Sequence, residues 1–158
     1  MKKQVFFQFK NLANQKNLIH GVFNKNFGNV SLECGSKKQV LDNKKIIADA
    51  LDIDWRQICS VKQVHGTVIK IVRSENLKTV EEEGDGIIAN IKNVFLMIKT
   101  ADCFPVLFFD PIKKAAAAVH VGWRGAIEKI FLTALLKMIN QFNSQPEDIL
   151  VGIGPGIK

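Results

Sequence analysis

The feature that most limits the fold is a series of short apolar runs in the middle of the chain. In each run, hydrophobic residues occupy successive positions. The runs lie at residues 87–89, 94–98, 106–109 and 115–121. A strand with one solvated face alternates apolar and polar residues, so unbroken apolar runs predict strands that are covered on both faces. Such strands require a further layer of structure on each side of their sheet.

The rest of the chain supplies elements for those layers. An apolar period of about 3.6 residues predicts a helix over residues 125–142, and a second helix over 43–51 with Asp42 as its cap. Shorter apolar segments predict strands at residues 5–9, 18–23, 58–64, 67–72 and 149–153. We therefore expect an α+β fold (mixed α/β layers), with mixed β-sheets and flanking helices, in a single domain of residues 1–158.

The charge balance limits the classes of partner. The chain has 22 Lys and Arg residues against 15 Asp and Glu residues, which gives a net charge of +7. Nearly all of the basic residues are lysines, and they are spread along the chain rather than clustered. Sequence-specific nucleic-acid binders usually concentrate their charge and use arginine forks. The composition therefore argues against specific nucleic-acid binding and leaves attraction for anionic small molecules such as phosphate esters.

The N-terminus and the cysteines indicate the compartment. The apolar run at residues 5–9 is broken by Gln8 and is shorter than the roughly 7–15 residues of a secretory signal. No segment approaches the roughly 18 apolar residues of a membrane helix. Cys34, Cys59 and Cys103 are odd in number and irregularly spaced, which predicts free thiols. We expect a cytoplasmic protein without a membrane partner.

Three segments place reactive residues where predicted strands end. They read QVHG at 63–66, TADCFP at 100–105 and HVGWRG at 120–125. Together His65, Cys103 and His120 would form a His₂Cys set, and three such ligands with an open fourth position are typical of catalytic zinc. Their wide spacing leaves the alternative open that they are one core cysteine and two ordinary histidines.

Further motifs occur around these segments in the same order. They read GDGIIAN at 84–90, TADCFPVLFFDP at 100–111, AVHVGWRG at 118–125 and IGPGI at 153–157. With them the chain, from about residue 19 to its last residue, resembles the YfiH family, also called the laccase-domain or polyphenol-oxidase family. Its members act as purine nucleoside phosphorylases. The resemblance implies phosphorolysis of adenosine, inosine or methylthioadenosine, with adenosine deamination in some members.

The resemblance also implies roles for individual residues. His65, Cys103 and His120 match the family's zinc ligands and would be catalytic, and copper would be an adventitious occupant of the same set. Asp102, beside Cys103, could orient a ligand or transfer a proton, and its alternative role is to cap a turn.

A phosphate site is predicted at the strand-to-helix turn that precedes residue 126. Backbone N–H groups at Gly122 and Gly125 could face an anion, and Arg124 could add a bidentate contact. The alternative is that both glycines serve only the turn. Lys25 stands where the family usually has an arginine, so it could supply charge but not a planar fork.

The resemblance also implies a longer protein than this chain. Family members continue beyond the IGPGI motif, so we expect a version of the domain that is truncated at its C-terminus. Purine nucleosides and phosphate are the expected ligands, and a homo-oligomer or a completing C-terminal polypeptide would cover the exposed apolar surface. Two alternatives are a non-catalytic, metal-stabilised remnant or interaction protein, and a copper-dependent polyphenol oxidase. The three histidines are too few for a multicopper centre.

Overall fold

The computed structural model describes residues 6–74 and 82–157 of the chain, which contain both helices and strands. The strands are β1 (Ile58–Ser60), β2 (Ile69–Ile71), β3 (Gly86–Ala89), β4 (Phe95–Met97), β5 (Phe104–Asp110), β6 (Ala115–Val121) and β7 (Leu150–Ile153). The α-helices are α1 (Lys10–Ala13), α2 (Lys37–Leu51), α3 (Trp123–Ile127) and α4 (Ile130–Phe142). Short 3-10 turns cover Lys25–Phe27, Trp55–Gln57 and Pro146–Asp148.

The strands form two sheets of mixed direction. A five-stranded sheet has the order β2-β3-β6-β5-β7, and β1 pairs with β4 in a separate two-stranded sheet. The β1–β4 and β2–β3 pairs are parallel, whereas β6 pairs antiparallel with β3 and β5, and β7 pairs antiparallel with β5. Mixed sheets with flanking helices confirm the expected α+β class.

Strands β3, β5 and β6 are covered on both faces, as their unbroken apolar runs predicted, whereas β4, from the run at 94–98, is only half-buried. In β3, Ile88 belongs to the cluster that α4 completes, while its neighbour Ile87 belongs to the cluster on the other face. In β6, Val119 and Ala118 divide between the same two clusters. Since alternate residues of a strand point to opposite faces, two packed faces require apolar residues at every position.

The predicted helix over residues 125–142 is wrong in its continuity, because α3 ends at Ile127 and α4 starts at Ile130. Lys129 between them has φ 59°, in the left-handed region, which turns the chain out of the first helical axis. The apolar residues keep their spacing in the sequence across the break, but they no longer lie on a single buried face. Ile127 is 71% exposed and Phe131 is 43% exposed, whereas Ile130 is fully buried.

The helix predicted over residues 43–51 begins earlier than the sequence indicated. The side chain of Ser36 accepts a hydrogen bond from the Gln39 N–H at 3.2 Å and caps α2. Asp42 therefore lies inside the helix, beside Lys45, and its predicted capping role is wrong. The predicted end at Leu51 is confirmed.

The strands predicted near the N-terminus are reduced to one isolated bridge between Phe7 and Val22. Residues 1–5, which include the start of the first predicted strand, lie outside the described part of the chain. The strand predicted over 58–64 is also shorter, because Lys62 bridges Glu83 instead of continuing along β4.

The cysteines are free thiols, as predicted, with Cys34 exposed, Cys59 buried and Cys103 between the two. Within the residues that the structure describes, no helix combines the length and the apolar character that crossing a bilayer requires. The expected cytoplasmic location stays a prediction.

His20 fixes the N-terminal segment by a hydrogen bond from inside the core. It is 6% exposed, and its Nε2 accepts the Phe9 backbone N–H at 2.9 Å. The imidazole also stacks on the Phe9 ring at a centroid distance of 5.9 Å. Burial lowers the pKa of His20, so the folded chain holds this imidazole neutral.

This burial predicts an acid-sensitive contribution to stability. Because the pKa of His20 is lower in the folded chain, the unfolded chain binds more protons below about pH 6.5, and the free energy of unfolding falls there. His20→Phe should lower that free energy by about 1–3 kcal/mol near neutral pH, since the Phe9 N–H loses its acceptor. As the pH is lowered further, the free energy of unfolding of the variant should then fall less than that of the wild type. Urea unfolding across this pH range measures both effects.

The pKa of buried His120 is lowered too, and it contributes in the same direction in both proteins. The difference between wild type and variant therefore isolates His20. If the free energies of unfolding of wild type and variant changed with pH in parallel, the prediction would be contradicted.

Candidate metal centre

Three side chains from distant parts of the chain meet at one point. One ligand atom each from His65, Cys103 and His120 lies within 4.8 Å of the other two. The two imidazole rings meet edge to face, with a centroid distance of 4.8 Å. His65 lies in the turn after β1, Cys103 directly precedes β5, and His120 lies near the end of β6. The structure thus contains a candidate His/Cys/His metal site.

Strand register explains why these segments meet. In the β5–β6 pair Phe104 lies opposite Val121, which brings Cys103 to the end of β6 that carries His120. In the β3–β6 pair Gly86 lies opposite Val119, so the preceding residue, Asp85, lies beside His120. The His120 N–H donates to the Asp85 carbonyl oxygen at 2.7 Å.

The buried carboxylate of Asp85 holds both histidines in place. It accepts the backbone N–H groups of Val64, His65 and Gly66, at 3.2, 2.9 and 2.6 Å. It also contacts Nδ1 of His120 at 2.9 Å. An ionised carboxylate only accepts hydrogen bonds, so His120 donates from Nδ1, and its Nε2 lone pair stays available for a metal.

The His65 turn has the backbone shape that this contact requires. His65 has φ 60°, in the left-handed region that non-glycine residues seldom adopt. Successive N–H groups around such a residue can converge on one anion. The carboxylate of Asp85 therefore accounts for a conformation that would otherwise be unfavourable for a histidine.

Gly122 leaves the space in which the three ligand side chains approach one another. A Cβ added there would lie 3.2 Å from His65 Cδ2, 3.3 Å from Cys103 Sγ and 3.8 Å from His120 Cε1. The φ of Gly122 is −78°, a value open to any residue, so close approach rather than backbone freedom favours glycine here.

The protonation states of His120 and Cys103 affect the binding of a dication in opposite ways. Burial lowers the pKa of His120 and outweighs the opposing hydrogen bond to Asp85. Burial also raises the pKa of the Cys103 thiol, and the negative charges of Asp102 and Asp85 add to this effect. Without a metal, both ligands are therefore neutral near pH 7, and a metal ion must displace the thiol proton as it binds.

The cluster offers fewer ligands than the four that a closed structural zinc site usually has. Two imidazoles and one thiol provide three ligands, which leaves a fourth position for water or substrate. His65, Cys103 and His120 line an open cleft of about 2110 Å³. Asp102, next to Cys103, also lines this cleft, and the lining extends from the cluster to the N-terminal segment that contains Lys25.

The predicted phosphate residues are divided between two places. Lys25 lies in the cleft, whereas the exposed Arg124 stacks on Trp123, with Cζ 5.1 Å from the ring centroid. Gly122 and Gly125 are buried at the start of α3, which is only five residues long. Neither these glycines nor Arg124 is among the residues that line the cleft.

Two residues of the site are not among the predicted site residues. Asp85 stood within a recognised motif, and Gln63 directly preceded the Val64-His65 pair. A signal for Asp85 was present, because an acid between two glycines directly before a buried strand must find hydrogen-bond donors.

Replacing the Asp85 carboxylate should weaken metal binding. Asp85→Asn puts an NH₂ group where only acceptors fit, so at least one N–H of the His65 turn loses its partner. We expect Zn²⁺ affinity to fall by about 10–100-fold, measured by competition with a chromophoric chelator.

Asp49→Asn, an exposed change on α2, is the matched control and should leave the affinity unchanged. A folded Asp85→Asn protein with wild-type affinity would show that the carboxylate does not organise the site.

Comparison with known proteins places this geometry in a family. The sequence model of the family described as multi-copper polyphenol oxidoreductase laccase matches residues 17–158. The purine nucleoside phosphorylase YlmD of Bacillus subtilis is 32% identical over 161 residues, covering 91% of this chain and 58% of YlmD. A purine nucleoside phosphorylase of Clostridium acetobutylicum is 38% identical over 105 residues, covering 65% of this chain and 43% of that protein.

Solved structures agree with the sequence comparison. The hypothetical protein YfiH of Bacillus licheniformis superposes with a TM-score of 0.77 at 29% identity, covering 82% of this chain and 51% of that chain. YlmD from Geobacillus stearothermophilus gives a TM-score of 0.76 at 28% identity, with the same coverage. The chain thus spans between about half and three fifths of the length of YlmD and YfiH. It belongs to the polyphenol oxidoreductase laccase family, that of the YfiH and YlmD proteins.

Proposed function

We propose that this chain carries the metal centre of a zinc-dependent purine nucleoside phosphorylase. The observation that supports the proposal is the meeting of His65, Cys103 and His120 in the wall of an open cleft. Relatives named purine nucleoside phosphorylases give the reaction class. Adenosine, inosine and methylthioadenosine are the proposed substrates, with adenosine deamination as a second reaction.

Phosphorolysis sets clear demands on such a site. A phosphate oxygen forms a bond to the anomeric carbon while the bond from that carbon to the base nitrogen breaks, and the bonding electron pair leaves with the base. Positive charge therefore develops on the ribose and negative charge on the base. A metal held by the three side chains supplies Lewis-acid polarisation of a base or sugar oxygen.

The protein's own groups meet the remaining demands. Lys25 in the cleft offers positive charge for phosphate. Arg124 lies two residues after Gly122, whose backbone is close to all three ligand side chains. We assign phosphate binding to these residues together with the N–H groups at Gly122 and Gly125. Asp102, exposed in the cleft next to Cys103, is the proposed group for proton transfer to the departing base.

The other interpretations have less support. A copper-dependent polyphenol oxidase agrees with the family's description, but the chain has only three histidines, and a multicopper centre needs more. A non-catalytic, metal-stabilised remnant would keep the cluster without turnover. The open cleft beside the ligands favours catalysis over that reading, because a purely structural zinc site is usually closed by a fourth protein ligand.

A phosphate-dependent nucleoside assay tests the proposal. Zinc-loaded protein should release adenine or hypoxanthine and form ribose-1-phosphate only when phosphate is present. Cys103→Ala and His120→Ala should each reduce the rate by more than about 100-fold, since losing a ligand exceeds the 10–100-fold cost typical of losing an outer partner. Chromatography of bases and sugar phosphates measures the products.

Asp49→Asn, at an exposed residue of α2 that does not line the cleft, is the control and should keep the wild-type rate. Arg124→Gln should raise the KM for phosphate while zinc content stays constant. Zinc-replete protein that neither releases a base nor deaminates adenosine would overturn the proposed activity. Zinc-dependent melting without any effect of inosine and phosphate would then support the remnant.

A second polypeptide is the proposed partner of the exposed apolar surface. Trp123 and Ile127 on α3 are 68% and 71% exposed, and Ile153 on the edge strand β7 is 67% exposed. We propose that these exposed apolar side chains are covered by a partner. A completing polypeptide is one proposed occupant of this surface, and a second copy of the chain is the alternative. Native mass spectrometry distinguishes the two, and a monomer unaffected by Ile153→Lys would contradict both.

A further inference from the structure

The chain changes pairing partner just before it reaches His65. Strand β1 pairs with β4 as far as Ser60 opposite Met97. Beyond that point Lys62 exchanges backbone hydrogen bonds with residues 82 and 84, at 3.1 and 3.0 Å. The backbone that leads to His65 therefore leaves the strand that leads to Cys103.

The side chain of Gln63 spans the gap that this departure creates. Its Nε2 donates to the Lys99 carbonyl oxygen at 2.7 Å, and its Oε1 accepts the Lys99 N–H at 2.7 Å. A primary amide has the same donor and acceptor as a peptide group, so this pair imitates one rung of the β-ladder. The Lys99 Nζ adds a bond to the Val61 carbonyl oxygen at 3.2 Å.

We propose that Gln63 is a positioning residue that sets the separation of His65 and Cys103. Gln63 lies two residues before His65, and Lys99 lies four residues before Cys103. Asp85 fixes the same turn from another side, through Val64, His65 and Gly66, and it fixes His120 as well. The Gln63–Lys99 pair supplies the corresponding connection to the third ligand. This inference rests on the proposed metal centre.

The chemistry of the contact requires glutamine. Asparagine is one methylene shorter, which prevents its amide from reaching both Lys99 groups from the same backbone position. Glutamate keeps the acceptor for the Lys99 N–H but places a second oxygen against the Lys99 carbonyl. Methionine preserves the apolar volume and removes both hydrogen bonds, which leaves two half-buried backbone groups without partners.

Metal titration of the whole chain tests the proposal without an activity assay. Gln63→Met should weaken Co²⁺ and Zn²⁺ binding by about 10–100-fold, the range found when an outer partner of a ligand is lost. The thiolate-to-cobalt charge-transfer band should shift or weaken, because Cys103 no longer meets the metal at the same position. Gln63→Glu should change both readouts in the same direction.

Gln145→Met, at an exposed glutamine after α4, is the matched control and should bind cobalt with the wild-type affinity and spectrum. A merely structural Gln63 predicts a lower melting temperature with unchanged affinity and cobalt spectrum, and that result would overturn the inference. If Gln63→Met does not fold, the metal affinity and cobalt spectrum of Gln63→Glu test the proposal instead, because glutamate is isosteric with glutamine and keeps one hydrogen bond. Wild-type protein that binds neither metal would instead overturn the metal centre itself.

Discussion

The carboxylate of Asp85 is the contact on which the arrangement of the site depends. A fully buried charge is costly unless hydrogen bonds replace its hydration, and here three backbone N–H groups and one imidazole N–H do so. The same four hydrogen bonds restrict the conformation of the groups that donate them. They stabilise the left-handed backbone of His65 and select the tautomer of His120 that leaves Nε2 available. One buried acid thus links the conformation of a turn to the orientation of a ligand on another strand.

The layered fold makes this contact rigid. Strands β3, β5 and β6 are packed on both faces, so the backbone before β5 and at the end of β6 has little freedom to move. Cys103 and His120 are held by that packing, and Gly122 leaves room for their side chains to approach. His65 lies on a turn outside the sheet, which is why it depends on side-chain contacts from Asp85 and, as we propose, on Gln63.

The metal side of the site is better defined than the phosphate side. All three ligand positions, their buried acid and the open cleft lie within the described residues. The positive groups proposed for phosphate are separated, since Lys25 lines the cleft and Arg124 stacks on Trp123 outside its lining.

The sequence by itself determined the α+β class, the doubly covered central strands and the three residues that meet in the cluster. Apolar runs sufficed for the class and the strands, because they report burial. The three cluster residues needed the family resemblance as well, because their wide spacing alone left ordinary histidines and a core cysteine as an alternative. The tertiary structure decided the rest. It broke the long helix at Lys129, where backbone conformation overrides the apolar period. It also gave Asp85 and Gln63 their partners, since hydrogen bonds between segments 19 to 36 residues apart exist only once the strands are in register.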